Sequence, residues 1–142
     1  MEESVPQPDQ YLAIKPAFGG QSRIEGKYSA GAPELAVEVC ITSGSRDRGP
    51  KLGLYRRAEV IEYLTFEVRP KRIVWRHLSS GVYDMINPGP DGVFRSQVFP
   101  GLWLNEPAFW AGDGPALLAT LQAGMATPEY QTFAEKLRNN RN

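Results

Sequence analysis

A chain of 142 residues with 42% hydrophobic and 23% charged side chains has the make-up of one globular domain, too short for a second sizeable core and too apolar for a disordered segment. Its 16 basic and 16 acidic residues cancel to a net charge of +0, which counts against tight, constitutive, non-specific nucleic-acid binding but permits a locally basic cleft. One cysteine (Cys40) excludes an internal disulfide and a cysteine-rich zinc site, and one histidine (His77) argues against a histidine-built metal centre or catalytic triad. No apolar run is long enough to cross a bilayer, and the acidic, proline-containing start is unlike a signal peptide. The expected location is the cytoplasm, and the expected organisation is a single domain over residues 1–142.

In chain order, Tyr11 to Ile14 is a short apolar run and a candidate strand, and the glycine-bearing polar stretch 15–32 reads as a long loop or an irregular hairpin. Leu35 to Ile41 alternates with a strand's period: Leu35, Val37, Val39 and Ile41 on one face, Ala36, Glu38 and Cys40 on the other. After a polar loop, Asp47 is the expected N-cap of a helix running to about Ala58, with Pro50 in its first turn and Lys51 and Tyr55 on one face. Ile61 to Val68, Arg72 to Leu78 and Val82 to Ile86 read as strands, joined by turns at Arg69-Pro70-Lys71 and Ser80-Gly81. Residues 87–92 read as a loop, and Val93 to Leu104 as short extended pieces broken at Pro100-Gly101. Asp113 precedes a short helix with Leu117, Leu118 and Leu121, and Thr127-Pro128-Glu129 opens another that carries Tyr130, Phe133 and Leu137. That order of elements predicts a mixed α/β (α+β) fold.

Glu38 is the most informative residue. A carboxylate inside an apolar strand is costly to bury ionised unless it is paired or bound to a metal, and its small face neighbours, Ala36 and Cys40, leave room for a ligand. The alternative is a half-exposed strand with Glu38 turned to solvent. Asp9, after Pro8, is by itself an ordinary turn residue, and Lys51 by itself an ordinary solvated lysine, although a cation near a helix start is disfavoured by the dipole. Together the three form a minimal kit for phosphodiester hydrolysis: two carboxylates for a divalent cation and a lysine for the attacking water and the developing phosphate charge. Arg46, Arg48, Arg56 and Arg57 cluster around Lys51, as either a solvated helix face or phosphate contacts at a cleft rim. His77 reads as structural, Cys40 as a small buried filler, and Trp75, Trp103 and Trp110 as core or interface residues.

The series Pro8-Asp9, Gly31-Ala32-Pro33-Glu34-Leu35-Ala36-Val37-Glu38-Val39, Asp47, Lys51-Leu52, Tyr55-Arg56-Arg57-Ala58 and Glu62-Tyr63-Leu64 resembles the Uma2 family of restriction endonucleases, within the PD-(D/E)XK nuclease superfamily. The resemblance continues through Gly92-Val93-Phe94-Arg95-Ser96, Phe99-Pro100-Gly101-Leu102-Trp103-Leu104 and the terminal helices. It implies a restriction-endonuclease-like fold, a mixed central sheet flanked by helices, and cleavage of DNA dependent on Mg²⁺ (or Mn²⁺), with no small-molecule cofactor. By position it makes Asp9 and Glu38 the metal carboxylates. The superfamily's lysine falls two residues after the second carboxylate, where this chain has Cys40, so Lys51 is the implied replacement. Family members carry a further N-terminal segment of helix and hairpin, so a member lacking that segment is expected. The family reads Asp where this chain has Glu34, and Gly where Glu59 follows Ala58, a helix end that favours glycine.

Two expectations follow. One is a Mg²⁺-dependent endodeoxyribonuclease, working as a homodimer because the strands of duplex DNA are related by a two-fold axis. The other is a catalytically inactive homologue that serves as a dimerising or nucleic-acid-binding module.

Overall fold

The computed structural model describes residues 8–21, 23–25, 28–42 and 45–140, with the side chains of residues 23–25, 28–30 and 45–50 outside that description. The chain forms two compact units, residues 1–85 and 86–142. Its architecture is mixed α+β and restriction-endonuclease-like, as the resemblance implies.

The first unit is built on a five-stranded sheet of order β1 (Gln10–Leu12), β4 (Leu35–Cys40), β5 (Glu62–Glu67), β6 (Arg72–Ser79) and β7 (Val82–Ile86). A 3-10 turn over Pro16–Phe18 and the antiparallel pair β2 (Arg23–Glu25) and β3 (Tyr28–Ala30) fill the segment between β1 and β4, the hairpin alternative of the sequence reading. β4 runs parallel to β5, a pairing that needs a crossover, and α1 (Ser45–Arg57) supplies it. The helix starts at Ser45, two residues before the expected cap, so Pro50 falls inside it, where a full turn would use the N–H that proline lacks. Its other end closes as a Schellman motif: Val60 N donates to Tyr55 O and Glu59 N to Arg56 O, with Glu59 held at φ 64. Tyr55 and Val60 are fully buried, and with Ala32, Ala36 and Tyr63 they form the core between α1 and the sheet.

β5 is the central strand and is buried on both faces, which puts two acids in the interior. Glu62 accepts from Trp75 Nε1 at 2.9 Å and lies 2.9 Å from Nδ1 of His77; Glu67 accepts from Arg72 Nε at 2.5 Å. His77 and Trp75 are therefore structural partners of a buried carboxylate. β6 and β7 meet at Ser80-Gly81, both at positive φ (51 and 80), the backbone a two-residue hairpin requires.

In the second unit β8 (Val93–Arg95) pairs antiparallel with β9 (Trp103–Asn105), and three helices follow: α2 (Glu106–Ala111), α3 (Gly114–Met125) and α4 (Pro128–Asn139). Each opens on a side-chain cap, Asn105, Asp113 and Thr127 respectively. Gly124 sits where any side chain would collide, since a Cβ there would lie 2.3 Å from Gly101 O.

Candidate active site

β4 sets the site. Its parallel register with β5 (Ala36 opposite Tyr63, Glu38 opposite Thr65, Cys40 opposite Glu67) turns Glu38 toward the face covered by α1. Glu38 is 3% exposed, so the solvent-facing alternative does not hold. Its Oε1 accepts a hydrogen bond from Tyr55 Oη at 2.5 Å, and its Oε2 lies 3.4 Å from Lys51 Nζ. Lys51 and Tyr55 are one helical turn apart, so a single face of α1 supplies both a hydroxyl and an ammonium to one carboxylate. The Lys51 side chain is 46% exposed, so the pair has one buried and one wet end. The burial that would make an isolated carboxylate expensive is offset by these two donors.

Asp9 reaches the same strand from β1. Gln10 stands opposite Val37, and carrying that antiparallel register one residue further brings Asp9 opposite Glu38. Asp9 Oδ2 accepts from the backbone N–H of Val39 at 2.8 Å, doing at the end of the strand what a ladder carbonyl does within it. Asp9 is exposed, and its charge is felt at Tyr55. Burial first, then the hydrogen bond and charge of Glu38, hold the Tyr55 phenol far above its ordinary range, so that it keeps its proton and donates a hydrogen bond to Glu38.

A cleft of about 260 Å³ opens beside Lys51 and Glu38, lined also by Val39, Cys40, Ile41, Thr42 and Tyr63. Burial pushes the Tyr63 phenol up to about 12. Cys40 is half-buried on the cleft wall rather than a buried filler, two residues beyond Glu38 on the same face. Of the four arginines, Arg56 and Arg57 are exposed in the last turn of α1, where cations complement the helix dipole, and neither lines the cleft. Arg46 and Arg48 fall at the start of α1, with side chains outside the described residues.

The structure thus brings Glu38 and Lys51 together, with Asp9 across the strand. Sequence reasoning missed the part of Tyr55. The signal was available in its spacing from Lys51, but a tyrosine on an inward helix face ordinarily reads as core.

The Uma2 family profile, described as "Putative restriction endonuclease", matches residues 1–106. The chain belongs to the Uma2 family. That match spans β1 to β9 and ends as α2 begins, so the resemblance expected through the terminal helices stops short of α3 and α4. Among curated proteins, none matches the chain. As an Uma2 member the protein falls in the PD-(D/E)XK superfamily, whose restriction-endonuclease-like families generally use divalent metals.

The donor set can be tested against such a cation. Among the described residues no group of three or more His, Cys, Asp or Glu side chains gathers into a ready-made cage. Magnesium does not need one: it is commonly held by one or two carboxylates, with waters and substrate phosphates completing its shell. Glu38 on β4 and Asp9, just before β1, are two hard oxygen donors held to the same strand, and Glu38 lines the cleft together with Lys51. These residues fit a small, oxygen-preferring cation that keeps much of its water.

Proposed function

We propose that this Uma2 protein is an endodeoxyribonuclease that hydrolyses a DNA phosphodiester with Mg²⁺ or Mn²⁺. The observation that carries the proposal is the pairing of Lys51 Nζ with Glu38 Oε2 beside a cleft, with Asp9 held to the same strand through Val39 N–H. Asp9 and Glu38 are the residues that would hold the cation, and Lys51 is the residue that would orient the attacking water. When bound, such a cation supplies Lewis acidity toward a phosphate oxygen and makes hydroxide accessible at neutral pH. The Lys51 ammonium has a second use, as a fixed positive charge against the negative charge that develops on the phosphate. Arg46, Arg48, Arg56 and Arg57 are proposed as phosphate contacts that set the duplex against the cleft, a role that shows in salt dependence rather than in sequence preference. A homodimer would give each DNA strand one such cleft.

One observation favours a second reading. Both oxygens of Glu38 already have partners inside the protein, Tyr55 and Lys51, so the carboxylate is satisfied without a cation. Under that reading the protein is inactive and serves as a dimerising or nucleic-acid-binding module.

Nicking of supercoiled plasmid in Mg²⁺ or Mn²⁺, by wild type and by Glu38→Ala, separates the two. Metal-dependent nicking that Glu38→Ala abolishes supports the nuclease. A folded wild type that binds DNA and leaves it intact supports the module.

A further inference from the structure

A fully buried phenol must give its hydrogen bond to something. Tyr83, packed against the same core cluster, gives its own to a backbone carbonyl, Val60 O, at 2.6 Å. Tyr55 instead gives its bond to a side chain, Glu38 Oε1, at 2.5 Å. Two readings are open: Glu38 satisfies Tyr55, or Tyr55 aims Glu38.

The surroundings of Tyr55 decide between them. Its backbone carbonyl is tied into the Schellman closure of α1 by Val60 N, 3.0 Å away. Its ring is fully buried and meets Tyr63 edge-on, with centroids 4.8 Å apart and planes at 70°. The phenol is therefore held by helix end, core and the edge-on Tyr63 contact before Glu38 is considered. Glu38 has only small neighbours on its own strand, Ala36 and Cys40, and its other partner, Lys51, has a side chain 46% exposed, so neither fixes the carboxylate as firmly as the buried phenol does. We infer that Tyr55 is a positioning residue: by occupying Oε1 it locks the Glu38 carboxylate so that one oxygen, Oε2, is presented to the cleft and to a cation. This rests on the proposed metal-dependent reading and deepens it. Glu38 would then serve as a single-oxygen ligand, leaving the rest of the cation's shell to Asp9, water and phosphate.

The test is calorimetric titration of Mn²⁺ into wild type, Tyr55→Phe and Tyr83→Phe, each checked for fold by circular dichroism. Tyr55→Phe should bind Mn²⁺ at least about tenfold more weakly, the usual cost of losing a hydrogen bond that orients a metal ligand. Tyr83→Phe, which also loses a core-facing, part-buried hydroxyl bond but touches no ligand, should stay within about twofold of wild type, as an effect of packing alone would not. If Tyr55→Phe does not fold, p-aminophenylalanine and p-methylphenylalanine at position 55 make the same comparison at matched size: the amino form should retain Mn²⁺ affinity and the methyl form should lose it. Equal affinities in wild type and Tyr55→Phe, or in the amino and methyl forms, would overturn the inference alone. A folded wild type that binds no Mn²⁺ would overturn the metal-dependent reading and this inference with it.

Discussion

Lys51 Nζ lies 3.4 Å from Glu38 Oε2, and the two residues come from different elements of a β4–α1–β5 crossover. The crossover places a helix over the face of β4 that carries Glu38, and Lys51 on that helix is the residue proposed to stand in for the lysine absent two residues after Glu38. Lys51→Met keeps the aliphatic stem and removes the charge. The expected result is a fall in nicking rate of about 10²-fold or more, typical of losing one charged or proton-transferring group. Metal affinity should hold or rise, since an ammonium competing for Oε2 is gone. Single-turnover nicking at saturating Mn²⁺, beside calorimetry, reads both.

Asp9 has two jobs that one substitution can separate. Its Oδ2 anchors Val39 N–H, and its charge lies one residue beyond the pairing of Gln10 with Val37, on the side of Glu38. Asp9→Asn retains an oxygen acceptor for the Val39 bond but loses the charge. It should melt within a degree or two of wild type, a change well under ~1 kcal/mol, and bind Mn²⁺ at least ~tenfold more weakly. Asp9→Ala should lose both. Thermal melts and metal titration of the pair give the answer.

Glu59 stands at φ 64, in the left-handed position that closes α1. A side chain there carries a steric cost that glycine avoids, so Glu59→Gly should stabilise the fold by about 1 kcal/mol. Gln21 Nε2 donates to the Glu59 backbone carbonyl, which the substitution leaves in place. The midpoint of urea unfolding should rise with an unchanged slope.

Much of this was legible before the fold was. The alternation of β4 singled out Glu38 because an acid breaks an apolar strand's pattern, and the three-residue signal Thr127-Pro128-Glu129 marked the start of α4. Other features had no local signature. α2 spans six residues, Glu106–Ala111, too few to show a helical period, and the sequence reading passes over it. The bond from Tyr55 to Glu38 joins residues 17 apart, and that from Val39 to Asp9 joins residues 30 apart, so each exists only once the strand register is set. The inward aim of Glu38 was undecidable for the same reason: alternation names two faces but not which one a helix will cover.

Glu34 gives the fold a pH dependence of definite sign. Burial raises its carboxyl above the ordinary 4.5, against the opposing pull of backbone donors led by Ile14 N–H, which bonds Oε1 at 2.7 Å, and Oε2 is buried with no hydrogen-bond partner among the described residues. The folded state therefore holds the proton more tightly than the unfolded state. The stability tied to it is fully present below the ordinary value and is lost as pH rises through the raised one. Glu34→Gln keeps an acceptor for Ile14 and removes the titration. Unfolding free energy measured from pH 4 to pH 8 should fall in wild type relative to Glu34→Gln, and a constant difference between them would contradict the assignment.

The most direct test of the account is a calorimetric titration of Mg²⁺ and Mn²⁺ into wild type and Glu38→Gln, with plasmid nicking on the same samples. Glutamine preserves the size of the side chain and an oxygen for Tyr55, so the fold should survive while the negative charge is lost. The expected result is Mn²⁺ binding and nicking by wild type, and the loss of both in Glu38→Gln. Equal metal binding by the two folded proteins, or nicking that persists without the Glu38 charge, would contradict it.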